Sequence, residues 1–330
     1  MKALALFSGG LDSSLAINLI KSQWIEVVGL SFISTFWCKS TENVVRKNGK
    51  TAERFGFELL VHNFTEEQFK IIKNPKFWHG KNLNPCLDCH ILMLKEAKKI
   101  MKEIWADFII TGEVLGQRPK SQRRETFPII DKESDLEWLV LRPLSAKIMD
   151  ETIPEKNGWV DREKLLWIWG RWRKTQISMA KWIWWEDFPT PAGWCLLTDL
   201  WYATRLKNII KDDEIPPENE ILLLTIWRHF NYNEARIIAG RKEDENDTIE
   251  KLASDEEFLL QVEDFWSPTV TIKWIADDET LNFAAWVCAR YSDWKKEDSV
   301  KVKVWKKSWF EEFRTVKPLT DEETKIYIVW

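Results

Sequence analysis

The sequence predicts an α/β fold, a doubly wound parallel sheet, followed by a second, smaller α+β domain. Three observations carry that expectation. Short apolar runs alternate with amphipathic helix-like stretches over about the first 150 residues, a Gly-Gly loop joins the first run to the first helix, and the pattern loosens before Pro216-Pro217. Of the 330 residues, 45% are hydrophobic and 30% charged, which is enough to bury the cores of two domains and excludes disorder as the main state.

Residues 3–7 (ALALF) read as the first strand, Ser8-Gly9-Gly10-Leu11-Asp12-Ser13-Ser14 as a loop running into a helix start, and LAINLIKSQ as the first helix. Further strands are expected at 25–32, 57–62 and 107–111, with helices at 43–55 and 86–104. Residues 161–183 hold two short helical patterns around Gly170-Arg171-Trp172-Arg173-Lys174. In the second domain, strands are expected at 221–226, 236–239, 270–273, 301–304 and 325–329, alternating with acidic helices at 242–253 and 280–291. The expected domain limits are 1–205 and 216–330. No run approaches the roughly 18 apolar residues that cross a bilayer, and the start MKALALFSGG turns straight into a glycine loop, so a cytoplasmic protein is expected.

Composition adds an anomaly. There are 22 tryptophans but only 12 glycines, the latter about half of the usual share of about 7%. Several tryptophans stand where turn chemistry asks for glycine. Trp24 lies between a helix-like and a strand-like run, where helices close on a left-handed residue. Trp294 follows Asp293 as the second half of what would be an Asp-Gly turn, and Trp305 falls where a hairpin tip is expected. The expectation is that many of these residues are glycine in the native protein, encoded by UGA in a lineage that reads it so. Aromatic enrichment for packing or base stacking would explain the tryptophan count but not the glycine shortage.

Ser8-Gly9-Gly10-Leu11-Asp12-Ser13 at a strand-to-helix turn has a direct physical use. The glycines admit an oxyanion close to the backbone, successive N–H groups and the helix N-terminus face it, and the serine hydroxyls add donors. The loop resembles the pyrophosphate loop of the ATP-pyrophosphatase (PP-loop, HUP-like) superfamily, whose members split ATP into AMP and pyrophosphate. The resemblance implies that Ser8, Gly9, Gly10, Leu11, Asp12 and Ser13 hold ATP, with Asp12 arranging phosphates and Mg²⁺.

Five cysteines are too few for a disulfide scaffold. Asn84-Pro85-Cys86-Leu87-Asp88-Cys89-His90 precedes a helical run, placing Cys86 and Cys89 three apart near a helix N-terminus that favours thiolates. Alone, such a pair would serve zinc, a cluster, redox chemistry or structure. Cys195 follows in Pro191-Ala192-Gly193-Trp194-Cys195, whereas Cys38 matches no motif and Cys288 reads as core. His90 abuts the pair and reads as a surface or packed histidine.

Together, SGGLDS, N-P-C-x-x-C and the later cysteine resemble the tRNA thiouridylases, over about residues 1–205. The resemblance implies that Cys86, Cys89 and Cys195 handle sulfur, either as a nucleophile and persulfide pair or as the three ligands of a [4Fe–4S] cluster. The motif has glycine where this chain has Trp194. Thr111 and Gly112, at the end of a strand, fit a second loop on the nucleotide side.

A net charge of −4 does not mark a dedicated nucleic-acid binder, but a modifying enzyme needs only a local basic face. Arg118, Lys120, Arg123 and Arg124 form one cluster and Arg171, Arg173 and Lys174 another, both expected to contact tRNA. The acidic second domain reads as solvated helical surface, with a faint similarity to RNA-associated accessory domains around Gly240-Arg241-Lys242-Glu243. The expected function is ATP-dependent tRNA thiolation at a uridine 2- or 4-carbonyl, with sulfur from a persulfide carrier or sulfide. The alternatives are another PP-loop adenylating enzyme with zinc (an amidotransferase, a lysidine-type ligase or a deazaguanine nitrile synthase) or a non-catalytic RNA-binding protein.

Overall fold

A computed structural model describes residues 1–37, 41–183, 185, 187–188, 195–210 and 214–329, so Cys38 and Trp194 lie outside the described residues. The chain divides into two compact units, Met1–Asp199 and Leu200–Trp330. Among the described residues no helix is long and apolar enough to cross a membrane.

The first unit holds strands β1 (Lys2–Leu6), β2 (Glu26–Ile33), β3 (Glu58–Asn63), β4 (Phe108–Thr111) and β5 (Val140–Leu141). Its α-helices are α1 (Leu11–Lys21), α2 (Thr41–Phe55), α3 (Thr65–Lys73), α4 (Cys86–Glu103), α5 (Thr126–Glu133), α6 (Ile153–Lys156) and α7 (Lys174–Trp182). All five strands are parallel, in the order β3-β2-β1-β4-β5. Alternate residues feed two cores. Ala3, Ala5, Phe108 and Ile110 pack with Ile17 and Ile20 of α1 on one face, while Leu4, Val28 and Ile109 pack with Ile91, Leu94 and Ala97 of α4 on the other. Burial on both faces explains why these strands read as unbroken apolar runs. The strand order reverses between β1 and β4, and open sheets of this kind bind ligands beyond the carboxyl ends of the strands at such a point.

The second unit carries α8 (Leu200–Ile209), α9 (Glu218–Leu223), β6 (Arg228–Tyr232), β7 (Ala235–Ala239), α10 (Glu243–Leu252), β8 (Leu259–Val262) and β9 (Val270–Lys273). It ends with α11 (Asp278–Arg290), β10 (Val300–Trp305), β11 (Glu311–Val316) and α12 (Asp321–Tyr327). Its six strands form one antiparallel sheet, β11-β10-β8-β9-β7-β6, with α11 buried against it through Phe283, Ala284, Val287 and Cys288.

Two expected strands are helices. Residues 221–226 fall on α9 and the turn after it, and residues 325–329 start inside α12. A short apolar run does not distinguish a buried helix from a buried strand. Helix signals do stand in the sequence, with Glu218 and Glu220 in the first turn of α9 and a Thr320–Glu323 capping box on α12. Strands β5, β6, β8 and β11 and helices α3, α5, α6 and α8 are additional to the expected elements.

Six described tryptophans adopt left-handed backbone: Trp24 (φ 64), Trp78 (φ 69), Trp105 (φ 56), Trp138 (φ 66), Trp274 (φ 79) and Trp309 (φ 131). Trp105 closes α4 with the bonds Ala106 N–H to Met101 O and Trp105 N–H to Lys102 O. Gly56 closes α2 with the same pair of bonds, at φ 63, as a C-terminal glycine ordinarily does. The indoles of Trp24, Trp105 and Trp309 are 97%, 87% and 91% exposed, so no burial offsets the steric cost of their backbone. Trp24 thus behaves as expected. Trp305 does not, because it pairs with Glu311 inside the β10–β11 ladder and the tip residue of that hairpin is Trp309. Trp294 is likewise absent from the left-handed set.

Replacing Trp24, Trp105 or Trp309 with glycine should stabilise the protein by about 1 kcal/mol each in chemical denaturation, since a left-handed L-residue costs roughly that much. Sequencing the gene should show UGA at these six codons. UGG there would remove the genetic-code explanation.

Candidate active site

The loop after β1 is built by steric necessity. Gly9 has φ +73, and a Cβ there would lie 1.9 Å from Asn48 Oδ1, itself fixed by its amide donating to Ser31 Oγ at 2.7 Å. Gly10 is extended and caps α1 with no side chain bonded to the first-turn amides. Those N–H groups, at the positive end of an 11-residue helix, are a ready anion site. The Ser13 and Ser14 hydroxyls each donate to Gly10 O at 3.0 Å, and Ser8 Oγ lies 3.2 Å from Ser13 Oγ, so the serines also brace the loop. Leu11 turns its side chain into the core beside Leu15 and Val114, leaving its backbone for the site.

Gly112 brings the end of β4 onto this loop. A Cβ on it would stand 2.4 Å from Ser13 N, so only glycine permits the approach. The Thr111 hydroxyl donates to Glu113 Oε2 at 3.1 Å, an internal brace. Asp12 Oδ2 accepts from Gln117 Nε2 at 2.9 Å and lies 3.4 Å from Arg173 Nη2. Its Oδ1 is buried with no hydrogen-bond partner among the described residues, a vacant acceptor suited to a hard cation.

Cys86 is the first residue of α4, and His90 follows four positions later on the same helical face. His90 Nδ1 lies 2.9 Å from Glu113 Oε1. Glu113 Oε2 accepts from Arg142 Nε at 3.0 Å, and Arg142 makes a two-pronged bond to Asp131 at 2.7 and 2.9 Å. Arg142 is 3% exposed, so this is a buried chain of charge ending at the thiol. Burial works against each charged form, but the partners outweigh it at Arg142, which Asp131 and Glu113 hold charged, and at three further sites. The His90 imidazole is raised to about 10 by Cys86 and Glu113, Glu113 is lowered to about 2 by Arg142 and His90, and the Cys86 thiol is lowered, chiefly by His90. The reading of His90 as a surface or packed side chain is therefore corrected. It partners the first cysteine, and its spacing from Cys86 was the signal available in the sequence.

The other cysteines differ. Cys89 is buried among Ile91, Leu94 and Phe64, accepts from Gln68 Nε2 at 3.8 Å, and has its thiol pushed well up by burial, with Cys195 and Cys86 adding. Cys195 is pushed up to about 11, first by burial and further by Cys86. Residues after it are tied to the loop ahead of α4, through Leu83 N–H to Leu197 O at 3.1 Å and Asn82 Nδ2 to Thr198 O at 2.7 Å. The three thiols thus neighbour one another and affect one another's charge. Among the described residues, however, no three Cys, His, Asp or Glu side chains are grouped closely enough to hold a metal ion.

The basic clusters separate in space. Arg173 sits at Asp12, while Arg171 and Lys174 beside it are exposed. Arg118 is exposed yet close enough to help lower Cys86, and Lys120 is exposed nearby in sequence. Arg123 pairs with Glu125 at 3.6 Å and Arg124 donates to Ile148 O at 2.7 Å. Both arginines wall an open cavity of about 470 Å³ with Trp167 and Trp169.

Alkylation should read the charge chain directly. In His90→Gln the pH midpoint for iodoacetamide labelling of Cys86 should move up, and labelling at pH 7 should slow roughly tenfold for every whole pH step the midpoint climbs. An unchanged midpoint would remove His90 from this role. Glu113→Gln should cost about 3 kcal/mol of stability, because it strips a carboxylate from buried Arg142. Since Glu113 is lowered in the folded state, its contribution is complete above its ordinary 4.5 and is lost as pH falls toward 2, so the variant should flatten that limb of the stability profile.

Comparison with known proteins finds likenesses for both units. Residues 1–153 match the family model described as Thiamine biosynthesis protein (ThiI), and residues 228–328 match that of the NFACT protein RNA binding domain. A probable tRNA sulfurtransferase of Thermococcus kodakarensis is 32% identical over 158 residues, 46% of this chain and 39% of the relative. A tRNA-specific 2-thiouridylase of Clostridium acetobutylicum is 31% identical over 124 residues, covering 34% of this chain and 35% of the relative. A solved 4-thiouridine synthetase–RNA complex with bound ATP is 24% identical, over 40% of this chain and 34% of that one, with a TM-score of 0.34. The chain spans well under half the length of the curated relatives it matches. The first unit is thus similar, over part of their length, to tRNA sulfurtransferases and thiouridylases, and the second unit contains a region similar to an RNA-binding domain model.

Proposed function

We propose that the protein is an ATP-dependent tRNA thiouridylase. The observation that carries this reading is Gly112-Glu113, one dipeptide that presses on the phosphate loop on one side and, through His90, holds the Cys86 thiol on the other. The loop proposed to hold the leaving pyrophosphate and the thiol proposed as nucleophile are thus braced by the same strand end.

ATP would place its phosphates over the amides of the Gly10 to Ser13 turn. Mg²⁺, which neutralises developing phosphate charge, would be held by Asp12 Oδ1. The uridine carbonyl oxygen attacks the α-phosphorus and pyrophosphate leaves, which turns a poor leaving oxygen into AMP. With sulfur loaded on Cys195 as a persulfide by an external donor, the terminal sulfur attacks the activated carbon and AMP departs. The Cys86 thiolate then attacks the Cys195 sulfur and releases the thiocarbonyl. This leaves a Cys86–Cys195 disulfide, which an external thiol reduces. Cys86 rather than Cys89 takes this part because it is the partly exposed thiol whose ionisation His90 favours, whereas Cys89 is buried and burial disfavours its ionisation. No step is routed through a cluster or zinc, because the thiols as placed do not form a three-ligand set. Arg118, beside the cysteines, and the exposed Lys120, Arg171 and Lys174 supply positive charge for the tRNA backbone.

Mass spectrometry of tRNA nucleosides from a deletion strain should show one 2- or 4-thiouridine missing. With purified protein, Cys86→Ser and Cys195→Ser should lower thiolation at least about 100-fold, as expected for removed nucleophiles, and still release pyrophosphate with ATP and tRNA. Asp12→Asn should lose both steps, and Cys89→Ser should fall less than about tenfold. Full thiolation by Cys86→Ser would overturn the scheme.

A further inference from the structure

The second unit encloses a cavity of about 740 Å³ that plays no part in the chemistry above. Its walls come from α8, from Pro216-Pro217 and Glu220 of α9, and from the β6–β7 hairpin. Two buried arginines meet there. Arg236 is 3% exposed, and while its Nη2 pairs with Glu220, its Nε and Nη1 are buried without a hydrogen-bond partner among the described residues. Arg205 is 4% exposed and, among the described residues, donates only to carbonyls, those of Leu224, Ile226, Trp227 and Val329, leaving its Nε unpartnered there. Burial first, and then Arg236, drives Arg205 down to about 10.

Among the described residues, ion pairs engage only Arg236 of these two arginines. Glu220 is shared between Arg236 and Lys273, whose Nζ lies 3.2 Å away, and Lys273 also holds Glu257 at 2.7 Å. Among the described residues, two carboxylates thus make ion pairs with Arg236 and Lys273, Arg205 makes none, and Glu245 acts on Arg205 only through its charge. The remaining acids of the cavity wall, Glu214 and Glu234, are exposed and screened by water. Buried guanidinium N–H groups without acceptors are costly, and that cost is recovered when an anion supplies them.

We propose that this cavity is a phosphate-binding site, with Arg236 donating through Nε and Nη1 to the phosphate oxygens. A guanidinium offers two parallel donors of the spacing phosphate accepts. The volume lies within the range of small-molecule sites, leaving room for the nucleoside attached to that phosphate, and Asn208 and Asn231 stand ready for its polar edges. RNA is the source favoured here, because the cavity lies partly within the region matching an RNA-binding domain model. That choice rests on the proposed tRNA substrate; the phosphate site itself does not. Trp274 also lines the cavity but is one of the left-handed tryptophans, and the site does not depend on its ring.

The test uses the full chain and the variants Arg236→Gln and Asn231→Asp. Asn231 pairs directly across from Arg236 and is exposed, so its replacement sets a negative charge at the cavity without disturbing the core, in case Arg236→Gln fails to fold. Labelled tRNA is titrated across a salt series, and inorganic phosphate and AMP are titrated separately by calorimetry. Each is read as the difference between wild type and variant, so that binding at the ATP loop cancels. Loss of RNA affinity of about tenfold, with the log–log salt slope reduced by about one, supports the site with RNA as its source. Variant-sensitive binding of phosphate or AMP, with tRNA affinity unchanged, supports the site with a small phosphate ester as its source. No difference in any titration overturns it. Absence of thiolation with these differences intact would sink the enzymatic reading alone.

Discussion

Glu113 is a buried carboxylate that must be neutralised from two directions. Arg142, from the turn after β5, reaches it on one side, and His90, from the first turns of α4, on the other. Each of these groups would be intolerable alone in a protein interior, and together they satisfy one another. The consequence is geometric as much as electrostatic. Because the carboxylate cannot move without stranding Arg142, the end of β4 is fixed, and with it Gly112 against α1 and His90 against Cys86. A sheet edge, a helix N-terminus and a thiol are held in one arrangement by a single charge.

How far this was legible in the sequence depended on how local the physics was. The phosphate loop announces itself in six consecutive residues because its work is done by backbone amides and glycine conformations, both properties of a short segment. The parallel sheet of the first unit was equally readable, since strands buried on both faces must be apolar throughout. The His90–Glu113–Arg142 chain was not readable. Its members are separated by 23 and 29 residues and become neighbours only when β4 lies between β1 and β5. Arg173 illustrates the same limit from the other side. Within a run of basic residues it read as an RNA contact, and only the fold brings it to Asp12. In the second unit the helical period at 218–223 was too short to outvote a run of leucines, although the acidic first turn named the element correctly.

The two units carry different kinds of donor group suited to an anion. The first offers unpaired amides at a helix start, which cost little in an empty site because water can reach them. The second buries guanidinium groups whose unmet donors carry a standing penalty, so an empty cavity there is a strained one. A site of the first kind suits a nucleotide that enters and leaves at every turnover. A site of the second kind suits a ligand that stays bound while chemistry proceeds elsewhere, such as a point on a long polymer.

Trp24 lies just beyond α1, ahead of β2. If its codon is UGA, an ordinary expression host would read it as stop and release a peptide of 23 residues, containing β1, the phosphate loop and α1 with no neighbouring strand for either edge. Such a fragment has nothing to pair with and would be degraded. The left-handed backbone at this one tryptophan therefore bears on a question far from folding: in which cells this gene can be expressed as a protein at all.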